Sequence, residues 1–166
     1  EVAKILEITE GWAISISLLA EQWHHAPLDH WLTIPTNDLF RYLSEEVYST
    51  MTSTEQEIIL KLAIFPNFSA KLLEDFYGSE LAQMLNPFTQ RHVFIQPATT
   101  DGLYRFHALF SRFLEIKWQQ YPQQYNDLHQ QAALFYANQH NVQTALYHPF
   151  KTNDPNFCGE LLQLHA

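Results

Sequence analysis

One histidine stands where backbone chemistry favours an anion. In the stretch Leu103-Tyr-Arg-Phe-His-Ala-Leu-Phe-Ser-Arg-Phe-Leu114, His107 falls at the first turn of a helix whose apolar positions are Leu109, Phe110, Phe113 and Leu114. A helix start carries unpaired N–H groups and the positive end of the macrodipole, so phosphate is stabilised there. An imidazole N–H adds a charge-assisted donor. The plain alternative is a histidine packed at the corner between strand and helix, bonded only to local backbone.

The other reactive residue types do not converge. There are nine histidines; His24 and His25 are adjacent and cannot share a helical face, His30 lies beyond Pro27, and His140 and His148 flank a predicted helix. No carboxylate or thiolate stands at a ligand-like spacing from them, so the expectation is solvated or core-edge histidines and no metal site. Glu45 and Glu46 diverge around a helix and read as a solvated acidic face. Cys158, beside Phe157, reads as a small buried hydrophobe; as the single cysteine it allows no internal disulfide and fits a reducing compartment. Gly11, Gly78, Gly102 and Gly159 are isolated, so no phosphate loop is present, and neither GxSxG nor HExxH occurs. The expectation is a chain with no catalytic site of its own.

The elements that must position His107 are legible around it. Upstream, Val93-Phe-Ile-Gln-Pro97 alternates its side chains and Asp101-Gly102 supplies a turn, which predicts a hairpin running into the helix. Residues 2–9 and 12–24 are helical on either side of Gly11, and Pro27, Pro35, Thr36 and Asn37 mark a connector. Leu39, Leu43, Val47 and Met51 recur every fourth residue as one amphipathic helix. Thr52-Ser-Thr-Glu55 is a capping box opening a helix through Ile58, Ile59, Leu62 and Ala63, which Pro66 stops. Ser69 caps the next helix, Gly78 closes it, and a further helix covers 79–91. Helices followed by a hairpin wing and another helix make a winged-helix pattern. Beyond Trp118, stripes at Tyr125, Leu128, Ala132 and Phe135, at Val142, Ala145 and Leu146 up to a break at Pro149, and from Phe157 predict stacked helix pairs. The aromatic residues Trp23, Trp31, Phe110, Phe113 and Trp118 follow helical spacing and read as core.

The expected fold is therefore mainly α: a helical remnant over residues 1–35, a winged helix with a small β-hairpin over 36–120, and the start of a helical-repeat region of TPR-like kind over 121–166. With 166 residues, 46% apolar, and 12 Phe, 8 Tyr and 4 Trp, the chain can bury a real core. Its net charge of −9 suits nucleic acid poorly, and Arg91 is the only Lys or Arg on the 79–91 helix, with Glu80 against it. No apolar run approaches the ~20 residues of a membrane span. The chain opens on Glu1 without a secretory pattern and stops inside a helical rhythm, so it reads as a cytoplasmic piece cut from a longer protein.

Four stretches carry a family resemblance: Thr9-Glu-Gly-Trp12, Leu39-Phe-Arg-Tyr-Leu-Ser-Glu-Glu-Val47, Arg105-Phe-His-Ala-Leu-Phe110 with Phe113-Leu114, and Leu128-His-Gln-Gln-Ala-Ala-Leu-Phe-Tyr136. In order and spacing they resemble the large ATP-dependent LuxR-type (MalT-like) transcription regulators within the STAND class of signalling ATPases. Their family patterns are TEGWPAxLxLA, FxxYLxxEVL, RYHxLFxxFL and LHRRAAxWY. Ala13 departs from the usual proline, and residues 147–156 replace the common HALxAGD stretch.

The resemblance implies a P-loop module upstream that binds ATP or ADP, and a helical sensor and effector downstream, commonly a LuxR-type DNA-binding domain. The expectation from motifs, charge and apolar runs is that this segment itself is non-catalytic, holds no cofactor and touches neither nucleic acid nor membrane. The resemblance further implies that His107 reaches the phosphates of bound ADP in the whole protein and holds the inactive form; Arg105 reads either as an electrostatic aid to it or as a strand-surface salt bridge. The competing reading is a helical-repeat interaction module without a nucleotide switch.

Overall fold

The computed structural model describes residues 41, 43–91, 94–98, 102–152, 156, 157, 159 and 161. The expected helices at 2–9 and 12–24, the connector that follows, the Thr9–Trp12 motif, Leu39, His24, His25, His30, Val93, Asp101 and Cys158 lie outside the described residues.

Local signals set the first helices. Residues Leu43–Tyr48 form a π-helical turn in place of the expected α-helical one, and Ser49 N–H reaches back five residues to the Ser44 carbonyl at 3.0 Å. Lys117 fastens this turn to the core: its Nζ donates to Ser44 Oγ at 3.0 Å and stands 5.1 Å and 5.3 Å from the Tyr48 and Phe113 ring centroids. Helix α1 (Ser53–Ala63) opens on the predicted capping box. Glu55 N–H donates to Thr52 Oγ1 at 3.2 Å and Thr52 N–H donates to Glu55 Oε2 at 2.8 Å. Replacing Thr52 by alanine is expected to cost about 1 kcal/mol, read as a lower urea midpoint with an unchanged slope.

Ser69 caps α2 (Ala70–Tyr77), accepting from Leu72 N–H at 3.2 Å, and Gly78 closes it at φ +96°, where an L side chain would be strained. Helix α3 (Ser79–Arg91) runs through Pro87; the carbonyl deprived of its donor belongs to Gln83, and both residues are exposed.

The hairpin pairs β1 (Ile95–Pro97) antiparallel to β2 (Tyr104–Phe106), with Ile95 opposite Phe106. Gly102 sits in the turn at φ +77°. A third rung was not legible in the sequence: Phe68 and Tyr104 exchange both backbone hydrogen bonds at 2.8 Å, tying the loop before α2 to the wing. Helix α4 (Ala108–Trp118) follows and buries Phe110, Phe113, Leu114 and Trp118. Among the described residues the architecture is thus helical with one small antiparallel hairpin, as the sequence pattern predicts.

Three residues separate α4 from helix α5 (Pro122–Asn138), and α6 (Val142–Thr152) returns against it. His140, at φ +58°, turns the chain between them, and Asn141 Oδ1 caps α6 by accepting from Thr144 N–H at 3.2 Å. The expected break at Pro149 does not occur. Pro149 lies buried in the last turn, where its missing N–H removes one bond and the helix has only three residues left to run. Packing of its neighbours His148 and Lys151 holds that turn in place.

Candidate functional site

His107 occupies the corner where β2 becomes α4, and three backbone-level bonds fix it there. Its N–H donates to the Phe94 carbonyl at 2.7 Å and its carbonyl accepts from Ser111 N–H at 2.9 Å. Its Nδ1 accepts from Leu109 N–H at 3.3 Å, so the imidazole is itself the N-cap of α4. In a neutral ring whose Nδ1 accepts, the proton resides on Nε2.

The histidine is therefore one residue earlier than the first turn and is 1% exposed. It occupies an orphan donor that an anion at the helix start would otherwise meet. One open groove is lined by Tyr48, Gln56, Trp118 and Tyr121, and another by Glu115, Tyr125 and Lys151. Neither is lined by His107. Arg105 lies half-buried on β2 opposite Gln96.

A second histidine site was missed in the sequence. His129 on α5 and His148 on α6 are 1% and 0% exposed, not solvated or core-edge, and their Nδ1 atoms meet at 2.9 Å. Each helix presents its histidine on the face that the helix pair buries, so the pair forms only when both helices are in place. The Tyr125 ring packs edge-on to His129 at 4.3 Å, Tyr136 stacks on His148 at 5.7 Å, and Phe65 meets His148 edge-on at 6.0 Å. Burial holds both histidines below the ordinary pKa range, and the charges of His148 and Lys151 add to this for His129. Burial likewise pushes the Tyr125 and Tyr136 hydroxyls up to about 12.

The signal for this pair was present but weak. His129 stands four residues after Tyr125 and seven before Tyr136, and His148 three after Ala145, all on buried helical faces. Glu45 and Glu46 are exposed, as expected for a solvated face. Among the described residues no three His, Cys, Asp or Glu gather as a metal cluster, and no helix is long and apolar enough to cross a membrane.

This segment of helices and hairpin has a counterpart among known proteins. The family model of the MalT winged helix domain matches residues 44–126, half of the chain. The chain belongs to the MalT winged helix domain family. The matched span runs from the π-helical turn through the first residues of α5. Relatives named HTH-type transcriptional regulator MalT, from Vibrio parahaemolyticus serotype O3:K6 (strain RIMD 2210633) and Vibrio campbellii (strain ATCC BAA-1116), are each 29% identical over 167 residues, covering 92% of this chain. The chain spans 18% of the length of each of these relatives. Within the MalT winged helix family, then, this chain places its corner histidine as the buried cap of the helix that follows the wing.

Proposed function

We propose that this chain is a non-catalytic arm of a MalT-like transcription regulator, coupling the nucleotide state of a STAND-type ATPase module to a helical sensor. The whole protein would then hold a nucleotide-binding domain before this segment and further sensor and effector domains after it, and would work in the cytoplasm. ATP and ADP belong to that upstream module. On α3 Arg91 is the only Lys or Arg, so the reading gives this segment no nucleic-acid contact.

The observation that carries this reading is the packing across the junction between winged helix and helix pair. Phe65, from the loop after α1, meets Tyr136 of α5 and His148 of α6; Glu115 of α4 pairs with Lys151 of α6. On the winged-helix side, Trp118 Nε1–H donates to the Leu60 carbonyl at 3.0 Å. A displacement of the winged helix therefore carries the helix pair with it, which is what a transmitting arm requires.

His107 is the residue we assign to sensing ADP in the whole protein. Here its Nδ1 serves as the cap of α4; in the whole protein the imidazole would meet a phosphate oxygen of the diphosphate, as the family resemblance implies. Two substitutions in the full-length regulator separate the roles. His107→Asn keeps an acceptor at the cap but has no group at Nε2, whereas His107→Ala loses both. Both are expected to speed ADP release about ten- to a hundredfold, the loss of one hydrogen bond to a charged group, and to raise inducer-free transcription. Only the alanine variant is expected to lower winged-helix stability. An unaltered ADP off-rate with unaltered inducer dependence in His107→Asn would overturn the assignment.

A further inference from the structure

We propose that the His129–His148 contact is an acid-released latch that closes α6 against α5. The inference stands on the geometry of the pair and does not depend on the nucleotide reading above.

Two neutral imidazoles 2.9 Å apart share one N–H···N bond, so one ring carries its proton on Nδ1 and the other on Nε2. The first ring then has a bare lone pair at Nε2, and the second a bare N–H. Both Nε2 atoms are buried without a hydrogen-bond partner among the described residues. A further proton enters at the bare lone pair and creates an imidazolium whose new N–H meets no acceptor.

Among the described residues, nothing around the pair offers a counter-charge. On α6, Lys151 adds a second positive charge and Tyr147 a neutral ring; on α5, Tyr125 and Tyr136 stay neutral because burial raises their hydroxyls. From α4 the nearest carboxylate is Glu115, already bound to Lys151, and the loop after α1 presents only the Phe65 ring. Proton uptake is therefore accommodated by separating the rings, so that each reaches water and titrates as an ordinary histidine.

The sign follows from linkage. The open state binds protons below about pH 6.5 and the closed state does not, so closure is undiminished above that pH and weakens as pH falls below it. Because His148 also abuts Phe65, parting the rings takes α6 away from both α5 and the loop that carries Phe65.

The test is hydrogen exchange of the α5–α6 amides in the 166-residue chain between pH 7.0 and 5.5, corrected for the intrinsic pH dependence of exchange. For two histidines that charge only in the open state, the opening equilibrium is expected to rise about seventyfold, about eightfold for each. Asparagine places an amide near the Nδ1 position without a titrating group, so the H129N/H148N double variant is expected to change less than twofold. Imidazole chemical shifts of the wild-type chain provide the second reading: both rings stay neutral while the α5–α6 amides are protected. The latch is overturned if the double variant shows the wild-type pH dependence. It is equally overturned if either imidazole charges near pH 6.5 with those amides still protected, a result that stands even should the double variant fail to fold.

Discussion

Truncating Phe65 to alanine is expected to lower the unfolding free energy by about 3–5 kcal/mol, the usual cost of a buried phenyl group. Phe65 is 3% exposed and follows α1, where its N–H donates to the Leu62 carbonyl at 3.1 Å. Its ring meets four others edge-on: Phe76 at 5.3 Å, Tyr77 at 6.1 Å, Tyr136 at 6.3 Å and His148 at 6.0 Å. The first two belong to α2 and the last two to the α5–α6 pair, so one side chain closes two interfaces. Alanine leaves a cavity that neither interface can fill without breaking the other. The loss is expected to be uneven, with α5–α6 amides surrendering hydrogen-exchange protection before those of α1 and α4. Phe65→Leu, which keeps most of the volume and loses the ring edges, is expected to cost less than about 1.5 kcal/mol. A loss below about 1 kcal/mol for the alanine variant, or uniform loss of protection, would show that the junction is held by other contacts.

What the sequence disclosed and what it hid divide along the range of the interactions. The Thr52–Glu55 box, the Ser69 cap and the Gly78 stop involve atoms within four residues of one another, so residue type alone specifies them. The hairpin was legible for the same reason, through the alternation before its turn and the glycine within it. Pro149 misled because a local rule met a tertiary fact: the turn it should have ended is buried and braced by Lys151 on Glu115. The π-helical turn at Leu43–Tyr48 leaves no mark in a pattern of every-fourth apolar residues, which an α-helix would produce equally well.

The candidate sites show the same division. His107 could be located at the strand-to-helix corner, yet its capping role was hidden because imidazole is not among the side chains that ordinarily cap helices. The His129–His148 pair joins residues nineteen apart on two helices, and each histidine alone reads as a polar interruption of an apolar stripe. Only the return of α6 against α5 brings the two rings together.

Phe110→Ala is the second large effect expected, again about 3–5 kcal/mol, because this residue locks the wing to the helix that His107 caps. Phe110 is fully buried, and its ring lies on that of Phe94 with centroids 3.8 Å apart and planes 19° from parallel. Phe106 of β2 and Phe113, one turn further along α4, close the cluster at 5.7 Å each. Phe94 is also the residue whose carbonyl receives the His107 N–H, so removing the stacked ring frees the segment that anchors the histidine backbone. The expected signature is therefore specific. Amides of Ile95, Phe106 and His107 lose protection together, while the Thr52 and Ser69 caps, which lie in other elements, keep theirs. Ile116, on the same helix but 39% exposed, supplies the comparison, and its alanine variant is expected to stay within about 0.5–1 kcal/mol of the parent. If the two variants cost the same, the wing does not owe its position to the aromatic stack, and the corner that presents His107 is built by the backbone bonds alone.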